Sequence, residues 1–290
     1  MGFIQEIEEK ETKQGNIFLT DISPSKGNSN TDLSSIININ SDFLLVIDSP
    51  GGSVRSAPIP FAYKLSREYD QNIIFTMNCR DMNKLAIQSN LLGAEMLGLH
   101  QVFIVKGDKF LEERGFPKVV YDYSPTDLIS DIVNLNNGID FQNKQLNSPT
   151  SFTIGSAIDF SNNSQRNELQ LVRKKYQKGT DFFISQPCYD MNLITDFHNK
   201  YYKKYGNGLE KPIFYGVQLL SKNGKNWGHI PEDIIKQLEN SNSPLEIAFN
   251  FIQQLSSIGL NKIYLIPPIG QNGTRDYNMA ELLIKRIRGI

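Results

Sequence analysis

Cysteine is nearly absent. Cys79 and Cys188 stand alone, far apart and without metal-ligand spacing, which argues against a disulfide framework and fits a reducing, cytoplasmic setting. Histidine is as scarce: His100, His198 and His229 fall on different predicted elements, so no metal site is expected. An excess of one charge is also missing. The 30 Lys and Arg against 31 Asp and Glu leave a net charge of -1, with no basic stripe to neutralise nucleic-acid phosphates. No apolar run approaches the ~20 residues a membrane helix needs. The opening stretch, MGFIQEIEEKETKQG, is charged and lacks the apolar region of a signal peptide. Glu6 stands where a myristoylation motif needs Ser or Thr.

What is present is a repeated apolar run followed by a helix-period segment. The predicted strands are Asn16–Asp21, Phe43–Ile47, Ile73–Met77, Val102–Val105, Ser151–Ile154, Asp181–Ser185, Pro212–Val217 and Lys262–Leu265. The predicted helices between and after them are Thr31–Ile39, Phe61–Tyr69, one within Asn83–Met96, Ser124 to about Leu135, Asn167–Gln177, Met191–Tyr202, Pro231–Glu239, Pro244–Ser256 and Tyr277–Arg288. Short apolar strands buried on both faces signal a parallel sheet. Eight such units at roughly thirty-residue spacing predict an α/β fold, a single (β/α)8 TIM barrel. An open doubly wound sheet fits less well, because no G-x-G-x-x-G follows the first strand. No linker composition divides the chain, so residues 1–290 are expected to form one domain.

In such a barrel the loops after the strands carry the chemistry. The strand ends supply Asp21, Asp48, Asn78 to Asp81, Lys106 to Asp108, Gly155 to Asp159, Gln186 with Tyr189 and Asp190, and Gln218. Asp21 could equally be a turn-capping carboxylate. Gly107 would let a flat ligand approach the backbone. Cys79 has no neighbouring base and reads as structural. Lys106 as a Schiff-base lysine would make the chain a barrel lyase or aldolase, which needs a depressed pKa.

Five segments carry a resemblance. CRDMNKLAIQSNLLGAEMLGLHQVFIVKGD, FTIGSAID, GTDFFISQPCYD, DSPGGSVRSAP and TDISPSKG resemble, in order, motifs of the methylenetetrahydrofolate reductase family. The likeness spans about Asn16 to Pro268. It implies a flavoprotein with FAD that reduces 5,10-methylenetetrahydrofolate, or a related methylene-pterin, to the 5-methyl form. Carried over by motif, Asp21 falls on the general acid and Asp108 on the aspartate beside flavin and pterin. Thr76, Asn78, Lys106, Gly107, Gly155, Ser156 and Ala157 fall on flavin-binding strand ends, and Glu168 and Lys175 on contacts to the cofactor's ribose and phosphate part. Gln186 falls on the folate-binding glutamine, with Gln218 as a second substrate contact. NADH or NADPH is the implied electron donor; an electron-donating partner subunit and a homo-oligomer are both compatible with the family.

Three departures stand out. Asp21 replaces the usual Glu and is one methylene shorter, with a reference pKa about 0.4 lower. The family's H-x-T-C is here Thr76-Met77-Asn78-Cys79, so the flavin-side histidine is lost. The strand-two threonine is Ile47, followed by Asp48. These changes open a second expectation, a barrel that binds its ligand but serves as a binding or regulatory subunit.

Overall fold

The structure, a computed structural model, describes residues 2–27, 33, 35–36, 38–68, 72–110, 117–240 and 243–290. Eight parallel strands close into a barrel in sequence order. They are β1 (Ile17–Ile22), β2 (Phe43–Val46), β3 (Asn72–Asn78), β4 (Gln101–Val105), β5 (Thr153–Ile158), β6 (Phe182–Pro187), β7 (Ile213–Gln218) and β8 (Lys262–Ile266). The helices described are α1 (Phe3–Gln14), α2 (Pro58–Glu68), α3 (Lys84–Met96), α4 (Pro125–Asn136), α5 (Gln165–Lys178), α6 (Met191–Tyr205), α7 (Glu232–Glu239), α8 (Pro244–Ser257) and α9 (Tyr277–Arg288). This is the predicted (β/α)8 barrel. Four of the nine residues of the predicted helix Thr31–Ile39 lie outside the described residues.

The helices start where the sequence offers caps. Asn83 accepts from the Ala86 N–H at the head of α3, and Ser124 from the Asp127 N–H at the head of α4, with Pro125 in the first turn. Asp190 does the same for Asn192 and Leu193 of α6, and Asp276 for Met279 of α9. Each cap fixes the loop before it, and those loops form the C-terminal mouth.

Two cores result from the strand alternation. Odd residues of β2 and even residues of β3 point into the barrel, and their neighbours point at the helices. The barrel interior is phenylalanine-rich: Phe43 and Phe182 both approach Phe214, with centroids 6.2 and 6.3 Å apart. Burying each such ring contributes about 1.5–3 kcal/mol.

The sequence reading missed α1, whose charge disguised it. Glu6–Lys10 and Glu9–Lys13 are i,i+4 ion pairs along it, the second on its outer face and the first reaching Asn72 and the Asp42 carbonyl at the barrel. Its inner face puts Phe3 and Ile7 against the barrel floor. The Phe3 ring lies 5.0 Å from Phe43 and 5.3 Å from Phe182, so α1 plugs the N-terminal end.

β5 and β6 run further than expected, to Ile158 and Pro187. The reason is at Gly155, which pairs in register with Phe182. A side chain at Gly155 would meet the Phe182 ring at 2.4 Å. The glycine therefore makes room for a core ring and stays within the strand.

Phe3→Ala should destabilise the chain by about 3–5 kcal/mol, the usual loss for a buried aromatic. Urea unfolding checks this; an unchanged midpoint would mean that α1 is not seated in the barrel.

Candidate functional site

The C-terminal mouth is built strand by strand. At the end of β1, Asp21 is 1 % exposed. Its Oδ1 accepts from Arg275 Nε at 3.0 Å and its Oδ2 from the Tyr264 hydroxyl at 2.8 Å. Arg275, which comes from the loop before α9, is itself buried. Burial pushes the Tyr264 hydroxyl well above the ordinary tyrosine range, and the Asp21 charge adds to this, so the phenol remains a donor. Both Asp21 oxygens are thus acceptors. The carboxyl group is thereby fixed in place between Arg275 and Tyr264.

Across β2, β3 and β4 lies a second polar group. Asn78 Nδ2 donates to Asp48 Oδ2 at 2.5 Å and to Asp81 Oδ2 at 3.0 Å, while its Oδ1 accepts from the backbone N–H of Arg80 and Asp81. Arg80 is 2 % exposed. Its guanidinium grips Asp81 with two bonds of 2.5 and 2.8 Å, donates to the Asp108 carbonyl at 2.9 Å, and lies 4.0 Å from the Phe110 ring centre. Gly107 has φ +89°, and a side chain there would meet the Arg80 Cβ at 2.8 Å. The close approach it permits is to Arg80, inside the chain. Asp108 sits exposed on the rim, its carboxylate accepting the Gly51 N–H at 3.0 Å. It pins the loop after β2. Lys106 is exposed, 5.7 Å from the Tyr121 ring centre, without the burial a Schiff-base lysine requires.

The residues expected to hold FAD are arranged differently. Gly155 is filled by the Phe182 ring. Ser156 turns away from the barrel interior, fully buried beside Thr180. Ala157 is half-buried at the mouth, but its carbonyl accepts from Lys175 Nζ at 2.5 Å. Lys175 and Glu168 are 6 % and 5 % exposed. Glu168 accepts from the Asp159 N–H and from Asn162. Burial lowers the Lys175 ammonium and raises the Glu168 carboxyl, each opposed by the other's charge. These two side chains brace the loop after β5 and do not reach outward to a ribose or a phosphate. Thr76 is 3 % exposed on the interior face of β3, and its hydroxyl has no partner among the described residues. Among the described residues, Glu168 and Lys175 are thus engaged within the chain, while Thr76 and Lys106 face the mouth side of their strands.

At β6 and β7 the two glutamines differ. Gln186 is half-buried at the mouth, and its carboxamide has no hydrogen-bond partner among the described residues. Gln218 is fully buried; its Nε2 donates to the Lys225 carbonyl and its Oε1 accepts from the Trp227 N–H. It holds the loop after β7. Sequence reading missed Arg275 and Tyr264, and named Asp48 among the strand ends without a role. Arg275 lies 254 residues from Asp21 in the chain, and no local pattern joins them. No cluster of His, Cys, Asp and Glu able to hold a metal occurs among the described residues. Burial pushes the Cys79 thiol up to about 12 and the Cys188 thiol up to about 11, which suits inert packing.

Arg275→Met should leave Asp21 buried without its cation and cost about 3–5 kcal/mol. The double variant Asp21→Asn/Arg275→Met should recover most of that loss. Urea unfolding of the three proteins checks this, and equal losses in single and double variants would deny the pairing.

No helix among the described residues is long and apolar enough to cross a membrane. Among curated proteins no sequence matches this chain. Among solved structures, a protein from Clostridium thermocellum described as binding two copies of 5-methyl-5,6,7,8-tetrahydrofolic acid is similar, with a TM-score of 0.66 at 14% identity, over 97% of this chain and 99% of that one. A 2,3-dimethylmalate lyase of the PEP mutase/isocitrate lyase superfamily matches with a TM-score of 0.54 at 10% identity, over 99% and 87%. At such identities these likenesses concern the barrel. The sequence itself matches the methylenetetrahydrofolate reductase family over residues 11–264, and the chain belongs to that family.

Proposed function

We propose that this chain binds a reduced pterin carrying a one-carbon unit at the barrel mouth, and reduces 5,10-methylenetetrahydrofolate or a related methylene-pterin to the 5-methyl form. The observation that carries this reading is the free carboxamide of Gln186. It combines one acceptor and one donor group in a half-buried position, and the edge of a pterin presents both kinds of partner. The family match supports the reaction class. The Clostridium thermocellum barrel, which binds 5-methyltetrahydrofolic acid, supports the ligand class.

The chain's residues have distinct parts in this reading. Gln186 orients the pterin edge. Asp21, fixed by Arg275 and Tyr264, presents a preorganised negative charge to the iminium cation that forms when the methylene bridge opens. The apolar walls from Ile47, Val105 and Ala157 limit access of water. The reduction also consumes one hydride. The donor is tested with NADH and NADPH, each with and without added FAD.

The enclosed Glu168 and Lys175 favour a second reading, a pterin-binding barrel that supports a reductase partner. Turnover by the purified chain separates the two.

Calorimetric titration with 5-methyltetrahydrofolate should show saturable binding. Gln186→Ala should weaken it roughly 2- to 12-fold, equivalent to a hydrogen bond of about 0.5–1.5 kcal/mol. Unchanged affinity in the variant would remove Gln186 from the site, and no binding by the parent chain would overturn the proposal.

A further inference from the structure

The loop after β2 runs from Ile47 to the start of α2 at Pro58, and it is tied down at widely separated points of the mouth. On one side the Gly51 N–H donates to the Asp108 carboxylate, just past β4, at 3.0 Å. Gly52 lies against the Phe110 ring, which a side chain at that position would meet at 2.9 Å. On the other side Arg55 donates to the Pro24 carbonyl at 2.9 Å and to the Gly273 carbonyl at 3.2 Å, in the loops after β1 and β8. The Ser56 N–H and hydroxyl both reach the Ser25 carbonyl, at 2.9 and 3.0 Å.

In the closed ring β4 and β8 stand opposite each other. The loop is therefore a strap across the half of the mouth that runs from β8 through β1, β2 and β3 to β4. Asp21 belongs to that half. So does Thr76, whose buried hydroxyl has no partner among the described residues. A buried polar atom of this kind calls for a ligand or water in the space it faces. Gln186, on β6, lies in the half that the strap leaves clear.

The strap has little beneath it to hold it shut. None of residues 47–58 is buried, and Val54 near its middle is 91 % exposed. A segment without buried apolar contacts opens at low free-energy cost. Ser49, Gly51 and Gly52 all have left-handed backbone, with φ of 41°, 62° and 69°. That shape costs free energy at Ser49, while the two glycines let the backbone change direction freely. The two anchorages are also unequal. Arg55 and Ser56 are held through guanidinium, hydroxyl and backbone together, whereas Gly51 and Gly52 are held by one exposed carboxylate and one ring.

We propose that this strap is a lid over the pterin, hinged at Arg55 and Ser56 and latched by Asp108, a proposal that rests on the pterin reading above. Release of the Gly51–Asp108 bond lifts residues 49–53 and admits the ligand to the Asp21 side of the mouth. Closure restores the bond and shuts water out of that side.

Amide hydrogen exchange, read by mass spectrometry on peptides covering 49–53 and 55–57, follows the two anchorages separately in the ligand-free chain. Exchange at Gly51, Gly52 and Ser53 should run ahead of exchange at Ser56. Asp108→Ala should speed exchange at 49–53 by roughly 2- to 12-fold, the equivalent of one ordinary hydrogen bond. Phe110→Ala, which spares the carboxylate, should speed it too, and both should leave Ser56 unchanged. Bound 5-methyltetrahydrofolate should slow exchange at 49–53 in the parent. Its association rate, followed by the fluorescence of the single tryptophan, Trp227, should level off as its concentration rises. That plateau should be higher in Phe110→Ala. Exchange at 49–53 that neither variant alters would overturn the latch. Calorimetric binding of 5-methyltetrahydrofolate with exchange at 49–53 unchanged, or with an association rate that never levels off, would overturn the lid. Absence of binding would fail the pterin reading, and the ligand-free exchange would still decide the latch.

Discussion

The mouth of this barrel is governed by the need to neutralise buried charge. Two guanidinium groups, Arg80 and Arg275, are drawn almost wholly out of water. Desolvating a charge costs several kcal/mol unless a well-placed partner answers it. Arg275 takes Asp21 and Arg80 takes Asp81. The rest follows from this allotment. Gly107 must lack a side chain so that Arg80 can lie against it, the Asp108 carbonyl must turn to meet the guanidinium, and Asp48 is left without a cation.

The same economy of space shapes the barrel below. Rings of Phe43, Phe182 and Phe214 fill the interior, Gly155 yields to one of them, and Phe3 closes the floor. A filled interior places Asn78, Asp21 and Gln186 in the top layer, near the ends of their strands, with Thr76 one layer below Asn78. In this way packing confines the chemistry to one face, as the architecture requires.

The fold was largely legible in the sequence, because buried parallel strands and capped amphipathic helices leave periodic marks. The segments after β7 and β8 show it: Pro231, Ser243-Pro244 and Asp276 precede three helices that form close to where expected. α1 was not legible, since its two core residues sit among charges that pair along the helix. The site was legible by position and much less by partner. Asp21 and Gln186 were found because they end strands. What Asp21 touches depends on Arg275, which only closure of the barrel brings near. Glu168, Lys175 and Gln218 matched a family pattern, yet here each is held by the loop beside it.

The most direct measurement is a crystal structure of the chain with 5-methyltetrahydrofolate. The account predicts the pterin ring in the C-terminal mouth, its edge hydrogen-bonded to the Gln186 carboxamide, and the Asp21–Arg275 pair intact beneath it. A ligand bound outside the mouth, or one that displaces Arg275 from Asp21, would contradict it.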